Sequence, residues 1–148
     1  MPEFRKDPIL DRWVIIAPER AERPIVRETS DTAPCPFCTG NEHMTPPEVL
    51  RLRDKSDASS ASNWTVRVVP NKYPALMPDG NPTEITDEGY VVHSGIGVHE
   101  VIIESPDHVT DTALLEQTQL EAILQAYRDR IIELRIDKRF RYILIYKN

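Results

Sequence analysis

Cys35-Pro36-Phe37-Cys38-Thr39-Gly40-Asn41 is the stretch around which the rest of the chain is read, and it holds both cysteines of the 148 residues. Two thiolates at Cys-x-x-Cys spacing grip one soft or borderline cation, and Zn²⁺ is the commonest such partner. The pair supplies only half of a tetrahedron. The remaining ligands must come from His43, His93, His99 or His108, the four histidines of the chain, or from residues outside it. Two other readings compete with zinc. A redox dithiol wants a strand-to-helix setting, whereas Pro34, Pro36 and Gly40 crowd this turn and Asn41-Glu42-His43-Met44 is no apolar helix start. Ordinary thiols are the third reading, and a disulfide closing so small a loop would add little loop entropy.

Outward from the turn, short extended runs dominate. Arg5–Arg12 reads as a turn feeding a strand over Trp13-Val14-Ile15-Ile16-Ala17, which is β-branched and aromatic. Pro46–Leu52 predicts a short extended segment, and Trp64–Val69 alternates as a half-buried strand with Trp64, Val66 and Val68 on one side. Tyr90–His93 and Val98–Glu104 read as two strands joined in a hairpin by Ser94-Gly95-Ile96-Gly97. Glu28–Ala33, Asp54–Asn63 and Met77–Gly89 read as connectors or loops.

Toward the C-terminal end the period changes. Thr118-Gln119-Leu120-Glu121 has the capping-box pattern, and Leu120, Ile123, Leu124, Tyr127, Ile131 and Leu134 predict the buried stripe of a helix running to about Asp137. Arg128, Arg130, Glu133 and Arg135 fall off that stripe and read as solvated. Phe140–Tyr146 is apolar on both faces, the pattern of a central strand. With only Lys147 and Asn148 after it, the domain reads as interrupted at its C-terminus. The expected fold class is therefore α+β, short strands with a packed helix.

Composition narrows the class. The chain length fits one domain with a real core. Eighteen basic against 24 acidic side chains give −6, which argues against a general nucleic-acid binder. No apolar run approaches the ~18 residues of a membrane span, and Met1–Lys6 contains no apolar leader core. Two close cysteines without a disulfide framework predict a reducing, cytoplasmic setting. Arg20 and Arg23, three apart between Pro18 and Pro24, offer guanidinium forks suited to phosphate. The competing reading is two solvated arginines balancing Glu19 and Glu22.

Five motifs in order carry a resemblance. Arg5-Lys6-Asp7-Pro8 with Arg12-Trp13-Val14, Pro18-Glu19-Arg20-Ala21-Glu22-Arg23-Pro24, the cysteine turn, Pro70-Asn71-Lys72-Tyr73-Pro74-Ala75-Leu76, and Gly97–His108 together resemble the N-terminal half of galactose-1-phosphate uridylyltransferases, of the histidine-triad superfamily. The resemblance implies that residues 1–148 are a histidine-triad-like domain of a nucleotidyltransferase, an α+β fold with an antiparallel sheet and a packed helix. It implies Zn²⁺ on Cys35, Cys38 and His108, with Arg20, Arg23, Phe37, Asn71 and Asn148 binding substrate. It implies a homodimer acting on a sugar nucleotide and a hexose 1-phosphate, moving UMP between UDP-glucose and galactose 1-phosphate.

The chain departs from the family at one decisive point. The family nucleophile is a histidine of a His-x-His-x-Gln motif, which carries the nucleotidyl group covalently through a two-step transfer. No His-x-His occurs in these residues. The resemblance therefore places no catalytic residue in this chain and puts the nucleophile and fourth zinc ligand about fifteen residues beyond Asn148, within ordinary loop reach. Two alternatives stand beside the uridylyltransferase reading. One is an ADP-glucose phosphorylase of the same family, and the other a non-catalytic, zinc-stabilised nucleotide-binding module.

Overall fold

The computed structural model describes residues 1–23, 34–53, 63–87, 90–108 and 111–147. Asn148, the connector at 28–33 and nearly all of the Asp54–Asn63 loop lie outside the described residues. The chain forms two compact units, Met1–Val26 with Asn71–His99, and Arg27–Pro70 with Glu100–Asn148.

The first unit is an antiparallel sheet of four strands: β1 (Glu3–Lys6), β2 (Trp13–Ile16), β5 (Glu84–Asp87) and β6 (Tyr90–Ser94), in the order β2-β1-β6-β5. The carboxylate of Asp7 builds the β1–β2 turn by accepting from the N–H groups of Ile9 and Leu10 at 2.8 and 3.0 Å. Asp11 closes it at φ 53°, a left-handed conformation that Asp tolerates. The predicted turn is there, but Arg5 and Lys6 belong to a strand. Likewise β5 lies inside the segment read as a loop from Met77 to Gly89, because β6 offers it a pairing edge that overrides weak local propensity.

Gly95 sets the approach of β6 to the N-terminus. Its N–H donates to Pro2 O at 2.9 Å, and a Cβ there would stand 2.6 Å from the Pro2 backbone. Gly95 and Gly97 also bond Met77 across an isolated parallel bridge. These bonds draw the linker along Pro2 and Met77 rather than into a reverse turn, so the predicted Tyr90–Glu104 hairpin does not form.

The second unit contains β3 (Leu50–Leu52), β4 (Val66–Pro70) and β7 (Glu100–Ile103), antiparallel in the order β3-β4-β7, with the helix α1 (Gln117–Leu134) packed on β3 and β4. β4 is central and buried on both faces rather than half-buried. Val66 meets Ile123 and Ala126 of α1 on one side, while Val69 packs with Trp64 and Ile103. Each fully buried valine contributes roughly 1.5–3 kcal/mol.

Arg67 is buried in the same strand, and its Nε donates to Glu48 Oε2 at 2.6 Å. Its Nη2 donates to Thr45 Oγ1 at 3.1 Å, and the guanidinium sits 5.4 Å from the Trp64 ring centre. Trp64 Nε1 donates to Glu42 Oε1 at 2.8 Å. These contacts fasten residues 42–48, the segment after the cysteine turn, to the core strand.

α1 starts two residues earlier than the capping box predicts, with Glu116 rather than Thr118 at the N-cap and no side-chain cap bond. Gln119 instead donates to the carbonyls of Thr65 and Glu104, at 2.7 and 2.6 Å. The buried face is Ile123, Ala126 and Arg130, so the stripe is rotated and Leu124 is 62% exposed. Arg130, expected in solvent, is buried because Glu100 receives it bidentately at 2.6 and 2.8 Å and Glu133 at 2.5 Å. A buried guanidinium requires that pairing. Phe140–Tyr146 carries no strand pairing among the described residues, and Tyr142 is 80% exposed. A continuous apolar run states that a surface wants covering, not that a neighbouring strand covers it. No described helix is long and apolar enough to cross a membrane.

Candidate metal centre

The cysteine turn is a compact backbone knot. Cys38 N–H donates to Cys35 O at 3.3 Å and Asn41 N–H to Cys38 O at 3.2 Å. The Asn41 side chain donates to Cys35 O at 2.8 Å. Gly40 has φ 90°, a conformation open to glycine and closed to most L residues, although a Cβ would meet nothing within 4 Å. Thr39 then ties the knot to the loop after β7, its N–H donating to Pro106 O at 2.9 Å and its hydroxyl to the same oxygen at 3.3 Å. That loop carries His108.

The result brings the three predicted ligands together. Donor atoms of Cys35, Cys38 and His108 all lie within 4.8 Å of one another, and Cys38 Sγ is 3.6 Å from His108 Nδ1. A tetrahedral Zn²⁺ with bonds of ~2.3 Å to sulfur and ~2.05 Å to nitrogen separates an S and an N ligand by about 3.6 Å. The donor set and its spacing therefore fit a metal. Burial pushes the Cys38 thiol up, helped by the neighbouring Cys35 and Asp107. That direction is opposite to the depressed pKa of a redox dithiol. Both cysteines are free thiols.

Each of the other histidines has a setting of its own. His93 meets Glu84 at 3.2 Å and the edge of Trp13, His43 lies on an exposed 3-10 turn, and His99 packs on the turn that follows β4.

A cavity of about 300 Å³ adjoins the centre, lined by Cys35, Phe37, Cys38, Glu104, His108 and Lys147 among others. Phe37 is 43% exposed there. Lys147, which the sequence did not single out, donates from Nζ to Glu104 Oε2 at 2.5 Å and also to Thr112. Tyr127 donates to the other Glu104 oxygen at 2.5 Å. Its pKa is pushed up to about 12 by burial and by that carboxylate. An α1 tyrosine and a lysine beyond the helix thus meet on one carboxylate, a convergence without a local spacing signal.

Arg20, Arg23 and Asn71 belong to the first unit. Arg20 lies in the 3-10 helix Pro18–Glu22 and donates to Tyr73 O, while Arg23 is exposed just after it. Asn71 Oδ1 accepts the Tyr73 N–H at 2.9 Å, an Asx turn that holds the Asn71–Ala75 segment. His99 grips the same segment: its carbonyl accepts Asn71 N–H at 2.8 Å and its Nδ1 accepts Ala75 N–H at 2.9 Å. The sequence offers His99 only as one possible ligand, because its partners lie more than twenty positions away. Burial, and then the charges of Arg20 and Arg23, hold its imidazole below the usual histidine range.

Comparison with known proteins agrees with this geometry. The profile described as galactose-1-phosphate uridyl transferase, N-terminal domain, matches residues 1–148. The chain is 36% identical to an ADP-glucose phosphorylase of Arabidopsis thaliana, over 99% of this chain and 43% of the relative. It is 27% identical to a galactose-1-phosphate uridylyltransferase of Thermotoga maritima, over 100% of this chain and 41% of the relative. Among solved structures, that of an ADP-glucose phosphorylase from Arabidopsis thaliana with bound ADP-glucose superposes at TM-score 0.52 and 35% identity, over 90% of this chain and 38% of that one. A uridylyltransferase structure superposes at TM-score 0.60 and 25% identity, over 88% and 34%. The chain thus spans about two-fifths of the length of the curated relatives it matches, 43% and 41%.

Proposed function

The chain belongs to the galactose-1-phosphate uridyl transferase family, matching its N-terminal domain, and from that membership we propose that it is the zinc-bearing part of a nucleotidyltransferase. The reaction moves a nucleotidyl group from a sugar nucleotide to a phosphate-bearing acceptor through a nucleotidyl-histidine. The observation that carries this reading is the Cys35–Cys38–His108 cluster, within 4.8 Å and beside a cavity lined by Phe37. Zinc would be held by those three residues and would supply a cross-link that fixes the cavity wall. The chain has no His-x-His pair, so the nucleophile and the fourth ligand are expected from residues outside these 148.

Arg20 and Arg23 would meet the phosphates, since a transferring phosphoryl group needs positioned positive charge. Phe37 and Asn71 would line the nucleotide site, and Asn148 would reach the phosphates near the nucleophile. A cytoplasmic homodimer is the assembly this reading carries.

Two substrate pairs are compatible with the reaction: UDP-glucose with galactose 1-phosphate, and ADP-glucose with inorganic phosphate. The second is favoured by one observation, 36% identity to the ADP-glucose phosphorylase against 27% and 24% to two uridylyltransferases. The test uses the protein as its source makes it, incubated with each sugar nucleotide labelled in the α-phosphate. Label retained on the protein and transferred on adding the matching acceptor is the expected result. Absence of labelling by either sugar nucleotide, with zinc bound, overturns transfer and leaves the binding-module reading.

A further inference from the structure

The cysteine turn is tied down at two points. Thr39 fastens it to Pro106, on the loop that carries His108. Beyond Asn41 the chain continues into the 3-10 helix Glu42–Met44, none of whose residues is buried. So short a 3-10 turn has little stiffness of its own. The second point is the side chain of Glu42, whose Oε1 accepts from Trp64 Nε1 at 2.8 Å. Burial pushes the Glu42 carboxyl up, yet the Trp64 indole, the backbone N–H groups of Glu42 and Gly40 and the charge of Arg67 outweigh it and hold the group below the ordinary glutamate range. One carboxylate thus joins the backbone of the cysteine turn, at Gly40, to the core.

The contacts close a ring. Trp64 and Arg67 are each 2% exposed, and the guanidinium stands over the indole at 5.4 Å. Arg67 Nη2 donates to Thr45 Oγ1 at 3.1 Å, and that hydroxyl donates to Glu42 O at 2.8 Å. Glu42 is therefore fastened through its carboxylate and through its carbonyl to the same two anchored side chains. β4 and β7 pair with Arg67 opposite Ile103, and the loop that leaves β7 carries His108. The thiols and the imidazole thus hang from neighbouring strands, the thiols by way of Glu42.

We propose that Glu42 is a positioning residue of the metal centre, clamping the Cys35–Asn41 turn to Trp64 and Arg67 so that both thiols face His108 before a cation arrives. The inference rests on the metal-binding reading of the cluster and adds to it a residue that touches no metal. Ordering a flexible segment is part of the cost of binding, and a segment already ordered leaves that cost out. Groups that orient metal ligands without touching the ion accordingly carry a large share of metal affinity. No local spacing marks Glu42, because Trp64 lies 22 positions away.

The test measures the zinc Kd of the protein as its source makes it, by competition with a chelator, with folding checked by circular dichroism and a urea midpoint. Glu42→Ala should raise the Kd about tenfold, the lower end of the range for groups that orient metal ligands. Trp64→Phe keeps a ring under Arg67 and deletes the Nε1 donor. It should raise the Kd in the same direction, and it carries the test if Glu42→Ala does not fold. Val66→Ala trims the same strand where it meets α1 and leaves the clamp alone. It should lower the urea midpoint without moving the Kd, since lost stability alters a Kd only by depleting the folded form. A wild-type Kd in either folded clamp variant, or an equal rise in Val66→Ala, overturns the positioning role while the metal site stands. A wild-type protein that takes up no zinc overturns the metal site itself, and the role with it.

Discussion

Cys38 Sγ and His108 Nδ1 stand 3.6 Å apart, the distance that two ligands of one zinc ion impose on each other. Replacing Cys35 by Ser should lower bound zinc from about one ion per chain to well below that, and lower thermal stability with it. Metal analysis by mass spectrometry and a melting curve read both. Unchanged metal content and unchanged melting would remove the case for a metal here.

Glu48 should be a stability residue although it is not one of the clustered metal ligands. Burial pushes its carboxyl up, yet Arg51 and Arg67 outweigh burial and hold it below the ordinary glutamate range. Glu48→Ala would leave Arg67, only 2% exposed, without its carboxylate. Breaking such a buried pair typically costs about 3–5 kcal/mol, and the partly exposed Glu48 places the expected value near the lower end. Urea denaturation measures it, and a loss under ~1 kcal/mol contradicts the assigned pairing.

His99 makes the first unit sensitive to mild acid. Its folded-state pKa lies below the ordinary 6.5, so the unfolded chain takes up the proton first. The contribution of the ring is complete above pH ~6.5 and is lost as pH falls through the lower folded value. The protection factor of the Ala75 amide, its exchange rate corrected for the intrinsic pH dependence, should fall over that window. In His99→Asn the fall should disappear, and a persisting one would assign it to another group.

Gly95→Ala should weaken the pairing of the N-terminus with β6. The added Cβ would sit 2.6 Å from the Pro2 carbonyl carbon and oxygen, and backbone cannot yield as a side-chain tip can. The expected destabilisation is about 1–3 kcal/mol, read from the urea midpoint. A wild-type midpoint would mean that this close approach is relaxed in solution.

What the sequence discloses here is chemistry that is local, or that is shared with a family. Cys35 and Cys38 declare themselves by spacing, and β2 and β4 by β-branched runs. His108 reaches the ligand set through the family resemblance, and its placement beside Cys38 is then visible in the fold. Burial was harder to read. Arg130 carries the same local pattern as a solvated arginine, and only Glu100, 30 positions away, makes its burial tolerable. β5 has weak propensity and exists because β6 presents an edge. Phe140–Tyr146 has strong strand composition, yet no described strand pairs with it. His99 was legible as a candidate metal ligand and Asn71 through the family resemblance, whereas their contact at 3.3 Å depends on the backbone amides of Tyr73 and Ala75 that hold them.

The link between Thr39 and Pro106, 67 positions apart, also orders events in time. Cys35 and Cys38 are neighbours in any conformation, so an unfolded chain can catch a cation with two thiolates at once. His108 cannot join until β4 and β7 have paired, because the loop that bears it leaves the end of β7. Loop closure over that distance grows only slowly with length, but it must be met before the third ligand contributes. Folding should therefore be the slow step of tight metal uptake. A protein stripped of metal after folding should reload faster than one refolded from denaturant in the presence of metal.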